Sequence, residues 1–300
     1  MARRRDVVIG VIIAVSFLLV LGFFGLVIVG VISEGGGDGI AAFGDKVGVV
    51  ELDGAIDEGN GRMVIWQLDQ WARNGSIKAI VMHINSPGGG VAISQEVYDA
   101  IVRAKQEKPV VASMASVAAS GGYLVACAAD RIVANPGTIT GSIGVIMQFY
   151  TYKDLLGKVG VQIETVKSGE MKDVGNPDRE MTKKEELMLK SVVMDSYEQF
   201  VEVVAQGRDL DKEEVYPLAD GSIFTGAQAL NLGLVDTLGG LKEAIDLAAD
   251  LAGISGEPNV VRPYRREKVS IFDLLGSFVG DLGVKVEKPK LGPQLLYLYQ

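Results

Sequence analysis

The sequence predicts an α/β fold built on a parallel sheet, and three observations predict it. Short apolar, strand-like runs alternate with helical stretches through residues 47–166. No segment recurs at a fixed period, which sets solenoids and propellers aside. The 300 residues are 48% hydrophobic, ample for a buried core in one large domain or two small ones.

Arg3, Arg4 and Arg5 open the chain, and residues 1–6 form a basic N-terminus. Residues 7–32 follow without a charged side chain and with Ser16 as the sole polar one. As a helix this stretch would run roughly 39 Å, more than the ~30 Å hydrocarbon core of a bilayer. It is too long for the apolar region of a cleaved signal peptide, so it reads as a transmembrane signal anchor. The arginines keep the N-terminus cytoplasmic and send the rest of the chain outside the cell membrane in a single pass. Residues 33–46 (SEGGGDGIAAFGDK) read as a Gly-rich tether.

The folded domain is expected over 47–255. Residues 47–52 (VGVVEL) read as a buried strand, 63–73 as an amphipathic helix, 77–84 as a strand, 91–105 as a helix and 109–114 (PVVASM) as a strand. A tightly packed, alanine-rich helix follows at 122–129, short strands at 131–134 and 143–147, a helix at 152–158 and a strand at 161–166. Thr182 and Glu185 make a capping box that opens a long helix over 183–206, closed by Gly207. Residues 256–300 form a C-terminal tail. Within it 263–268 is basic, 270–282 has an apolar face if helical, and the chain ends in LLYLYQ. Packing on the domain or on a partner is its plain reading; self-occupation of a substrate groove and contact with a membrane surface are two sharper ones.

Setting aside residues 1–6, with three Arg and one Asp, leaves 26 basic against 37 acidic residues, a net charge of −11 that argues against nucleic acid as a partner. The single cysteine, Cys127, excludes an internal disulfide and reads as a small core residue. The single histidine, His83, lies inside a strand-like run, where a hydrogen-bonded structural role fits better than a Ser-His-Asp triad. No ligand cluster or nucleotide motif is present, so neither a metal nor an organic cofactor is expected.

Ser120 is the candidate nucleophile. It ends a run of small residues, SMASVAAS, and precedes Gly121 and Gly122 at a strand-to-helix passage, where free backbone N–H groups can hold an oxyanion. An ordinary N-cap or turn serine has the same local appearance. Residues 85–90 (NSPGGG) could supply half of an oxyanion hole, cradle a phosphate or simply turn the chain. With histidine set aside, a base must be a lysine or a carboxylate. A lysine serves only if burial lowers its pKa from about 10.4 toward neutrality. Lys172 lies in a loop, KSGEMKD, with nothing local to single it out.

In order and together, GVVELDGAI (48–56), INSPGGG (84–90), ASGGY (119–123), ANPGTITGSIGVI (134–146), KSGEMKDVGNPDREMT (167–182) and ADGSIFTGAQALNLGLVD (219–236) resemble the signal peptide peptidase A family. These are membrane-anchored serine proteases of the S49 type. The resemblance implies a ClpP/crotonase-like core of repeated ββα units behind one transmembrane helix. It implies Ser120 as nucleophile, Lys172 as a buried general base, Ser142 as the residue that orients the lysine, and the N–H groups of Gly89 and Gly121 as the oxyanion hole. Implied substrates are cleaved signal peptides and other unfolded, apolar peptides. This is a short form with one copy of the domain, so a homo-oligomeric ring is implied, with Ser and Lys of one site drawn from neighbouring subunits. Two other readings compete: a catalytically silent membrane-anchored scaffold, and a crotonase-type acyl-CoA enzyme.

Overall fold

The computed structural model describes residues 20, 22, 45–263 and the backbone of 295–298. The chain divides into two compact units, Met1–Gly44 and Asp45–Gln300. The expected span over 7–32 lies outside the described residues except for Val20 and Gly22, which are helical. Among the described residues no helix is long and apolar enough to cross a membrane. The tether and the amphipathic stretch at 270–282 also fall outside them, Asp45 and Lys46 of the tether excepted.

In the second unit a parallel sheet takes the order β10, β1, β2, β4, β5, β9, from Asn259–Val261, Lys46–Asp53, Ile77–Ser86, Val110–Ala119, Arg131–Ala134 and Thr237–Leu238. Both faces are covered, which is why these strands read as unbroken apolar runs. Val50, Leu52, Ile80, Met82 and Ile84 join a core on one face, and Val47, Val49, Ala79, Val81 and Val111 a smaller core on the other. The first face is covered by α1 (Glu58–Arg73), α2 (Val91–Lys105), α3 (Gly121–Ala126) and the C-terminal half of α5 (Lys183–Arg208). The second is covered by α8 (Leu241–Leu251). The fold is mixed α/β with parallel pairing dominant, as expected. β2, the short β3 (Gly88–Gly90) and α2 follow one another as a ββα unit.

Several elements depart from expectation for local reasons. α1 begins five residues early because Asp57 caps it: Oδ1 accepts from Gly59 N (2.8 Å) and Asn60 N (3.1 Å), and the Asn60 side chain accepts from Asp57 N. β4 runs five residues past Met114. Its first half pairs with β5 and its last, Val117–Ala119, with β6 (Ile139–Gly141), so one strand bridges two neighbours. The strand expected at 143–147 shrinks to β7 (Ile146–Met147). No strand forms at 161–166, where every residue is exposed and, among the described residues, no neighbouring strand offers backbone partners.

The capping box of α5 forms as expected, but Gly207 does not end the helix. α5 continues to Arg208 and stops at Asp209, which takes a left-handed φ of 53°. Gly207 serves packing instead: a Cβ there would lie 2.4 Å from the Cys127 carbonyl oxygen. Gly207→Ala should therefore destabilise the domain by about 1–3 kcal/mol through overpacking at the α3–α5 contact. A melting temperature equal to wild type would show that the contact yields freely.

Candidate active site

β4 delivers Ser120 to the head of α3. Thr138 and Thr140 fasten this end of the strand, donating from their hydroxyls to Ala115 O (2.6 Å) and Ala118 O (2.7 Å). Ser120 N donates to Gly141 O at 2.8 Å, and Ser120 O accepts from Leu124 N at 2.9 Å. Ser120 itself takes φ 52° and ψ −119°, a strained backbone for a residue with a Cβ. Its hydroxyl makes no capping bond, which removes the N-cap reading. Ser120 is 1% exposed, and its Oγ is, among the described residues, the one buried side-chain polar atom without a hydrogen-bond partner.

Ser142 lies one residue beyond the Gly141 carbonyl that holds Ser120. It too has a positive φ, 50°, is nearly buried, and donates its N–H to Ser222 O at 2.7 Å. Two strained serines thus stand side by side at the ends of the paired strands β4 and β6.

The glycine loop closes on the same place. Gly122 must be glycine because a Cβ would meet Ser86 O at 2.7 Å, drawing the start of α3 against the end of β2. Gly89 in β3 lies against Ile56, whose carbonyl oxygen would be 2.0 Å from a Cβ, and Gly90 N donates to that oxygen at 2.9 Å. The other side of β3 carries the C-terminal strand β11 (Leu295–Leu298), antiparallel, with Leu296 opposite Gly90 and Leu298 opposite Gly88. β11 also pairs with β7, with Leu296 opposite Ile146, and lies against α3. Residues 295–298 thus run as an extended strand between the glycine loop and β7.

Lys172 lies elsewhere. It sits in a single 3₁₀ turn, Glu170–Asp173, is exposed, and makes no side-chain hydrogen bond or ion pair among the described residues. The burial expected of it is not found within one chain, because the segment around it has no core: between Ile143 and Ser196 the one buried residue is Glu185. Arg179 holds that carboxylate. Its Nη1 donates to Glu185 Oε2 (2.9 Å), its Nη2 to Glu185 Oε1, and its Nε to Asp173 Oδ2 (3.0 Å). Lys167 Nζ reaches Asp173 Oδ1 at 2.5 Å. Sequence reading missed this network. Its signal was the charge spacing around the Thr182–Glu185 box, with Asp173 and Arg179 six residues apart and Arg179 and Glu185 six more.

His83 is structural: Nδ1 lies 3.2 Å from Ser113 Oγ, and burial pulls its pKa down. Cys127 is buried and its thiol is pushed up to about 12, chiefly by burial, so it is no nucleophile.

A buried serine on a strained turn, beside a glycine loop that already pairs with an extended peptide segment, belongs to the serine peptidase class. A model of peptidase family S49 matches residues 102–255, and a Clp protease model matches residues 42–137. A Synechocystis sp. protein carrying the name of a protease is 44% identical over 209 residues, 70% of this chain and 75% of its own. Another, from Methanocaldococcus jannaschii, is 32% identical over 298 residues, 93% of this chain and 96% of its own. An Enterococcus faecium protein named as a signal peptide peptidase is 38% identical over 188 residues, 62% of this chain and 55% of its own. The chain belongs to peptidase family S49.

The clamp that Arg179 forms on Asp173 and Glu185 should loosen in acid. Hydrogen bonds from Arg179 and then from Thr182 hold Glu185 at about 2, below its ordinary 4.5, and Arg179 followed by Lys167 holds Asp173 well below the usual carboxylate range. A depressed carboxylate stabilises the fold fully above its unfolded pKa and loses that effect as pH falls through the folded one. Between pH 4.5 and about 2, amides of residues 170–186 should lose hydrogen-exchange protection, corrected for intrinsic rates, while those of β4 keep theirs. Equal loss in both would mean global unfolding.

Proposed function

We propose that this chain is a membrane-anchored serine endopeptidase that degrades cleaved signal peptides and other unfolded, apolar peptides with a Ser-Lys dyad. The observation that carries the reading is the Ser120 hydroxyl, buried and unpartnered on strained backbone. Buried polar groups are ordinarily paired, so one left open marks a group kept for chemistry.

In the mechanism, neutral Lys172 Nζ takes the Ser120 proton as Oγ attacks the peptide carbonyl carbon. The N–H groups of Gly89 and Gly121 hold the oxyanion, and Ser142 orients the lysine amine. The C–N bond then breaks, Lys172 returns its proton to the leaving amine, and a fresh peptide terminus departs. Water, deprotonated by Lys172, attacks the ester; the acid is released and Ser120 regains its proton.

An extended peptide fits this site by strand addition, and the pairing of β11 with Gly88–Gly90 supports that mode. The same pairing supports self-occupation of the groove by the tail. The name of the Enterococcus faecium relative supports signal peptides as substrate. Residues 7–32 would anchor the domain beside a membrane where such remnants collect. Lys172 is exposed within one chain, and the segment that leads to it exposes large apolar side chains: Tyr150 (71%), Leu155 (59%), Ile163 (55%) and Val166 (102%). A neighbouring subunit covering them in a homo-oligomeric ring would bury Lys172 against its own Ser120.

With an unfolded signal-peptide-like substrate, Ser120→Ala and Lys172→Ala should each lower kcat by at least about 10³-fold while assembly is kept. Ser120→Ala cutting as fast as wild type would overturn the reading. Wild type inert toward peptides would favour the scaffold, and turnover of acyl-CoA thioesters the crotonase-type enzyme.

A further inference from the structure

We infer that Arg179 is a positioning residue that sets Lys172 in place through Asp173 and Glu185, an inference that rests on reading Lys172 as the base. The turn bearing Lys172 contributes no buried residue, so apolar packing does not fix it. What fixes it is the side chain next door. Asp173 is held at both of its ends, the carboxylate by Arg179 Nε and Lys167 Nζ and the carbonyl by Arg179 Nη2 at 3.1 Å.

Arg179 in turn is anchored to Glu185, whose side chain is 2% exposed and which also accepts from Thr182 N at 2.8 Å at the start of α5. Arg179 Nη1 ties the intervening loop through Glu180 O at 3.0 Å. The planar guanidinium thus spans two carboxylates and two carbonyls at fixed angles. An ammonium, a point charge, cannot hold all four. From Lys172 the chain of contacts runs one residue to Asp173, then through Arg179 to a rigid helix. Reaction rates fall about 10²-fold for a misplacement near 1 Å, so a freed turn should cost rate rather than binding.

The test is single-turnover labelling of the full-length protein with a fluorophosphonate, which needs the base to activate Ser120. The final amplitude counts folded, assembled sites; the rate per titrated site reports the base. Arg179→Gln and Glu185→Gln should keep a substantial amplitude and lower the rate per site at least 30-fold. Arg179→Lys should fall between them and wild type. On peptide substrate kcat should drop with KM nearly unchanged. Loss of amplitude with an unchanged rate per site would make Arg179 merely structural and overturn the inference, as would a rate within threefold of wild type in both Gln variants. Lys172→Ala, run in parallel, separates the two ideas. If it labels as fast as wild type, the lysine reading falls and this one with it. If it is slow while both Gln variants are fast, the lysine reading stands and the clamp is refuted.

Discussion

An unpaired hydroxyl in a protein interior costs about 1–3 kcal/mol, and a strained backbone at the same residue costs a similar amount again. Ser120 carries both, and much of the surrounding architecture exists to impose them. β4 has to run on past β5 to reach β6, the hydroxyls of Thr138 and Thr140 pin that overrun, and the Gly141 carbonyl takes the Ser120 amide. α3 then departs so close to Ser86 that only glycine fits at 122. At its C-terminal end the small residues Ala126, Cys127 and Ala128 let α5 approach closely at Gly207. The close-packed half of the molecule is the support that such a residue requires.

Residues 144–195 are built on another principle. Where the sheet is held by burial on two faces, this segment buries one carboxylate and is ordered by ion pairs. Interactions of that kind respond to pH and to salt, whereas the core does not. One chain therefore joins a close-packed body that carries Ser120 to a segment that carries Lys172 and buries little by itself.

This division explains what the sequence disclosed. The buried strands and α2 were legible because two-sided burial writes itself as unbroken apolar residues, and the capping box of α5 because it is local. Ser120 stood out through the small residues before it, yet its strained backbone could not be foreseen, since the bond to Gly141 joins residues distant in sequence. β4 was read short for the same reason: its overrun pairs at Val117 to Ala119 with β6 and at Ala118 with Ser86 of β2, partners distant in sequence. The strand expected at 161–166 failed in the opposite way, an alternating pattern without a partner among the described residues. Gly207 looked like a helix stop and proved to be a contact, a distinction that lies in Cys127 and not in its neighbours. Arg179 was overlooked because a six-residue spacing does not share a helix face, and between Asp173 and Thr182 the chain is irregular, so no period ties one charge to the next.

α5 also acts as a ruler. Its far end is seated on the core, where Gln199 accepts a hydrogen bond from Gln95 at the head of α2, and its near end holds the clamp at Glu185. Between those points the helix is about 21 Å long at 1.5 Å per residue. Helix length is quantised: adding or removing one residue turns everything beyond it by about 100° and shifts it by about 1.5 Å. In the proposed ring, the reach and heading of Lys172 toward a neighbour's serine would thus be encoded by a residue count in a helix that touches neither, and lineages that alter that count would have to change the assembly along with it.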